Sequence, residues 1–217
     1  EGSVSVAAAI GVNLVSATTR ASTSDDAMTR ISWGGSLNLS SAANTDVSVE
    51  ADGSTVDGTA AGVGVASAVA INKATSVNEA YLGGTHETPS LMIQAHTRTL
   101  NEGQSSEDET NTFSSVAVSG AGAKEVGVAG ALALNLTDSK TAALIGEQAY
   151  VEMPDSGNVV ISASDRTVDL ARATPHETAT GETAGVGASV AVNVAVRTTL
   201  AELSDRAQIA DGSDPAV

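Results

Sequence analysis

An alternating apolar run that ends in asparagine recurs four times along the chain. The copies are VSVAAAIGVN closing at Asn13, VGVASAVAIN at Asn72, VGVAGALALN at Asn135 and AGVGASVAVN at Asn193. Counted back from each asparagine, one set of alternate positions holds Val, Ile or Leu in most copies, and the other holds Gly, Ala or Ser. In the second copy the first set is Val63, Val65, Ser67, Val69 and Ile71, and the second is Gly64, Ala66, Ala68 and Ala70. A period of two predicts strands. The second face carries the smallest side chains rather than charge, so both faces are expected to be covered. The branched face is then the core-filling one, at about 1.5 to 3 kcal/mol per buried Val, Ile or Leu. The Gly/Ala face admits a second backbone layer at close range. On this reading Val69→Asp or Ile71→Asp unfolds the chain.

The four asparagines stand 59, 63 and 58 residues apart, a tandem repeat of about sixty residues. Approximate units are 1–57, 58–115, 116–182 and a partial 183–217, forming one array over 1–217 in which each unit leans on its neighbour. The chain starts and stops inside a unit, which reads as a piece of something longer. Asn13, Asn72, Asn135 and Asn193 lie on the small-residue face. If units stack in register, their amides can bond loop backbone or one another as a polar ladder. Four equivalent asparagines are also conceivable as ligands, but no acidic or basic residue recurs at a fixed offset beside them, and a structural role is the better reading.

Eight residues after each asparagine stands an alanine, at Ala21, Ala80, Ala143 and Ala201. In the first copy a polar turn is expected at 16–20, with a short second strand (AYLG or ALIG in other copies) beyond it. A variable loop follows, and then a third strand marked by Leu37 and Leu39, Leu91 and Ile93, or Val159 and Ile161, each followed by Ala42, Ala95 or Ala163. Thr-rich strands such as NTDVSVEA and DRTVDLARA complete a unit of roughly four strands. The acidic stretches NEGQSSEDETN and ATPHETATGET read as solvated loops. No stretch combines helical spacing with caps. The fold class is therefore all-β: a parallel β-solenoid with two or three coils per repeat, or alternatively an antiparallel arrangement of long strands. An immunoglobulin-like sandwich is disfavoured by the short unit and the missing Cys pair.

Composition narrows the chemistry. The absence of cysteine excludes disulfides, thiolate metal sites and a cysteine nucleophile. Asp and Glu outnumber Lys and Arg 26 to 10, a formal charge of −16 that repels nucleic acid and anionic membrane. With no apolar run of eighteen residues, direct membrane insertion is not expected either. The aromatics are Trp33, Tyr81, Phe113 and Tyr150 alone, which suits many thin layers better than one large core.

Candidate chemical groups are sparse. His86 and His176 both sit in HET tripeptides but at different places in the repeat, so exposed loop positions are expected rather than a metal pair, and their replacement by Ala is expected to change nothing. Asp25 with Asp26, and Glu107, Asp108 and Glu109, could bind calcium weakly, although neither cluster has an EF-hand or β-roll spacing. No other cofactor is expected. There is no G-x-S-x-G elbow or P-loop. Asp165–Arg166 and Asp205–Arg206 are the paper candidates for a β-helix enzyme acting on polysaccharide, which the negative charge disfavours. A carbohydrate- or protein-binding module would use the loops around Trp33, His86 and Met153.

The motifs AIGVN, AVAIN, ALALN and VAVN, with AYLG and ALIG and with NLSSA, MIQA and VISA, resemble repeats of very large bacterial surface and secreted proteins of the leukotoxin-like and filamentous adhesin-like kind. The resemblance covers nearly all of the chain; the first copy departs from it with ASTS in the second strand. It implies a non-enzymatic, extracellular or cell-surface β-solenoid stalk or adhesive shaft. Its partners would be neighbouring repeats of the same chain and a protein or carbohydrate on another cell.

Overall fold

The computed structural model describes residues 4–32, 34–54, 62–98, 109–154, 157–175 and 184–212. Among them are fourteen strands and no helix. The first unit forms β1 (Val4–Ser22), β2 (Met28–Arg30), β3 (Leu37–Ala43) and β4 (Asp46–Asp52). The second forms β5 (Val63–Leu82), β6 (Thr85–Glu87), β7 (Ser90–Thr97) and β8 (Asn111–Ser119). The third forms β9 (Val126–Ile145), β10 (Tyr150–Met153), β11 (Asn158–Ser164) and β12 (Thr167–Pro175), and the fourth contributes β13 (Ala184–Leu203) and β14 (Gln208–Asp211).

Equivalent strands of successive units lie side by side. The sheets run β1-β5-β9-β13, β14-β10-β6-β2, β11-β7-β3 and β12-β8-β4, and all of their pairings are parallel. The antiparallel alternative therefore falls. Parallel neighbours need a long return connection, and here the remaining strands of each unit supply it. Each unit gives one strand to each sheet it enters, not the several that two or three coils per repeat require. The period is spent on strand length: the long strands run 19 or 20 residues.

That length corrects the expected turn at 16–20. β1 runs unbroken through it, and Ala21, Ala80, Ala143 and Ala201 pair in register on the same long strands. The alternation persists there with polar residues in the inward positions, where the facing sheets satisfy them. Ser41 Oγ donates to Asn78 Oδ1 at 2.6 Å and Asn78 Nδ2 donates to the His96 carbonyl at 2.9 Å, while the hydroxyls of Thr45 and Ser76 share a bond of 3.0 Å. In the third strand Leu37, Leu91 and Val159 align as expected, but Ala95 and Ala163 align with Ser41 rather than Ala42.

The largest correction concerns which face is inside. In β5 the residues Ala66, Ala68, Ala70, Asn72 and Ala74 are buried, whereas Val65 is 39% exposed and Val69 and Ile71 are only half-buried. The small face is the core face, and the branched face of the same sheet looks outward. Core volume comes from the opposite layer, where Val47, Val49 and Phe113 fill the space left by the alanines. The layers sit so close that a Cβ on Gly11 would lie 2.8 Å from Val49 Cγ2, and one on Gly64 would lie 2.8 Å from the Gly122 carbonyl oxygen. Toward their C-terminal ends the long strands turn large residues inward. Leu82 and Ile145 pack there with Leu91, Ile93, Val151 and Met153 in a second core. Gly84 makes the tight exit from β5 at φ 93°, and a Cβ there would strike the Ala27 carbonyl oxygen at 2.3 Å.

Candidate functional site

The four asparagines form one row across the long-strand sheet, Asn13 beside Asn72, Asn72 beside Asn135 and Asn135 beside Asn193. Asn72 and Asn135 are fully buried. Asn72 Nδ2 donates to Asn135 Oδ1 at 2.8 Å, and Asn135 Nδ2 donates to Asn193 Oδ1 at 3.0 Å and to the Phe113 carbonyl at 3.2 Å. Asn193 Nδ2 passes the chain on to the Asp169 carbonyl at 3.4 Å. The ladder does not reach the first unit: Asn13 Nδ2 turns to the Ser48 carbonyl at 3.5 Å, and Asn72 Oδ1 has no hydrogen-bond partner among the described residues. An amide both donates and accepts, so it relays along a stack of identical residues. The row locks layer to layer.

Sequence reasoning missed a second polar pin. Asn111 is buried at the start of β8. Its Oδ1 accepts from the Thr45 amide at 2.8 Å, and its Nδ2 reaches Asp165 Oδ1 at 3.0 Å and Thr97 Oγ1 at 3.3 Å. Asp165 also accepts from Thr97 and Thr167 at 3.0 to 3.1 Å. This network ties together the corners of all three complete units. The only signal for it in the sequence is an Asn at the end of an acidic loop, which resembles any other loop residue.

The candidate chemical groups are dispersed. His86 is a core residue on β6, fully buried, and not an exposed loop position. Its Nε2–H donates to the Gly83 carbonyl at 2.7 Å, and among the described residues Nδ1 has no partner. His86→Ala is thus expected to lower stability by about 2 to 3 kcal/mol through the cavity it leaves, read as a drop in the urea midpoint, in place of the silent change expected from sequence. Met153, at the end of β10, is 4% exposed in the core formed with Leu91, Ile93 and Val151. His176, Trp33, Glu107 and Asp108 lie outside the described residues.

Asp25 accepts the Tyr81 hydroxyl proton at 2.7 Å, and the Arg20 guanidinium stacks 5.2 Å from the Tyr81 ring centre. The bond to Asp25, aided by burial, raises the Tyr81 pKa above the usual phenol value. Arg166 faces Glu109 at 3.9 Å and Arg206 pairs with Glu147, so the two candidate arginines sit in separate surface pairs while Asp165 belongs to the Asn111 network. Among the described residues no three His, Asp or Glu side chains gather to hold a metal ion. An open hollow of about 300 Å³ runs along the short strands, lined by Met28, Arg30, Thr85, Glu87 and Glu152 among others. Its Arg30–Glu87 ion pair at 2.9 Å closes one charge on another. No protein-family model, curated protein or solved structure matches the chain.

Proposed function

We propose that the chain is a non-enzymatic structural or adhesive segment of a very large extracellular bacterial protein, built as a parallel β-solenoid with one coil per repeat. One observation carries this reading: every strand pairing joins equivalent positions of consecutive units, in parallel and in register. Such a stack is stabilised unit against neighbouring unit, so it extends without enlarging its core. Amide rows of the Asn72–Asn135–Asn193 type, buried at Asn72 and Asn135, favour that same register and disfavour slipped ones. The dispersal of His86, Arg166 and Arg206 into unrelated contacts supports the non-enzymatic part.

Small-angle scattering on the 217-residue chain and on variants with the 63–125 unit repeated tests it. Each added unit is expected to lengthen one dimension by about 4.8 Å at constant cross-section. Growth in all dimensions would sink the solenoid. Release of sugar from acidic polysaccharide, with or without calcium, would overturn the non-enzymatic assignment.

A further inference from the structure

Among the described residues nothing covers the outward face of the β1-β5-β9-β13 sheet, and over its N-terminal half that face is apolar. Six registered rows of four positions run from Val4, Val63, Val126 and Ala184 to Leu14, Lys73, Leu136 and Val194, and eighteen of these positions are Val, Ile or Leu. Central members are well exposed, Leu132 at 39% and Val128 at 40%. The patch spans about 36 Å along the strands and about 19 Å across them, or roughly 700 Å². That exceeds the largest apolar patch expected on a monomer and is close to the roughly 800 Å² per partner of a stable interface.

Charge and relief both indicate what covers it. The chain carries −16 overall, but the outward positions of the long strands hold three cations (Arg20, Lys73, Lys140) and three anions (Glu79, Asp138, Glu202), with Glu79 paired to Arg20 at 3.0 Å and to Lys140 at 3.3 Å. This face alone is neutral, so an identical face meets no repulsion there. The third row is a trough of small residues, Ala8, Ser67, Gly130 and Ala188. Beside it stands a ridge of Ile10, Val69, Leu132 and Val190.

We infer that this face packs against the same face of a second copy, with the two long-strand sheets antiparallel about a two-fold axis. Reversal of the strands lays each ridge in the other trough, so that Gly130 receives Leu132 of the partner subunit and the reverse. Aligned sheet-on-sheet packing of this kind is isologous and self-complementary.

Analytical ultracentrifugation over a range of concentrations tests the pairing. The chain is expected to dimerise, and Leu132→Asp to weaken association at least about a hundredfold by placing two charges in the apolar centre, with the circular dichroism of the dilute protein unchanged and its melting lowered by no more than a few degrees. Gly130→Leu is the second variant. A Cβ there meets only the Ala188 carbonyl oxygen, at 3.9 Å, so the monomer accommodates the side chain while the trough is filled and dimerisation falls. A chain that stays monomeric at all concentrations overturns the inference. So does an oligomer that survives both variants, which would report pairing through the open edges of β1 and β13. A monomer that floats with phosphatidylcholine vesicles assigns the face to lipid and overturns it as well.

Discussion

Ala133→Leu is expected to destabilise the fold by about 2 to 3 kcal/mol or more, while Leu132→Asp, one residue earlier on the same strand, costs under about 1 kcal/mol in the dilute monomer. Ala133 is fully buried between Ala70 and Ala191 in its sheet and packs in the core that contains Val49 and Ala117. Three extra carbons there must push apart two layers already close enough for Gly11 to need its missing side chain. Leu132 looks outward and asks nothing of that core. Urea unfolding followed by circular dichroism at low concentration gives both values. The reverse order of effects would mean that the small face is not the inner one.

The second large loss is expected at Asn135→Ala, about 2 to 4 kcal/mol, against about 0.5 kcal/mol or less for Asn13→Ala. Removing the Asn135 amide strips the acceptor from Asn72 and the donor from Asn193 and from the Phe113 carbonyl, all in one step. Asn72, with Oδ1 already unpartnered, then has no hydrogen-bond partner for its buried amide among the described residues. Asn13 makes a single contact of 3.5 Å at the exposed end of the row. The same logic predicts strong coupling: the Asn72→Ala, Asn135→Ala double variant is expected to be little worse than Asn135→Ala alone. Additive losses in that cycle would show that the row is not acting as one network.

How much of this was legible in the sequence follows from which interactions leave a periodic trace. The all-β class and the in-register asparagines were readable because alternation and a sixty-residue period survive as patterns. Whether units pair in parallel was not, because period two is the same in either direction. The inside and outside of the long strand were inverted for a physical reason. Hydrophobicity marks Val69 and Ile71 as core, but in a layered fold the inner face is set by how closely the next backbone comes, and there Ala70 fits where Val69 does not. His86 was misplaced because a lone histidine in a polar tripeptide carries no sign of the Gly83 carbonyl that satisfies it. The network of Asn111, Thr97 and Asp165 was invisible because its members lie 14 and 54 residues apart and meet only at a corner.

In-register parallel pairing also fixes the proportions of the molecule. Every unit of about sixty residues raises the stack by one strand spacing, about 4.8 Å, while a twenty-residue strand is about 66 Å wide. Four units are thus a slab, several times broader than it is tall. Only after some fourteen units does the height overtake the breadth. A protein built on this plan invests its residues in girth before reach: it raises a wall, course by course, and becomes a mast only when the chain runs to many hundreds of residues.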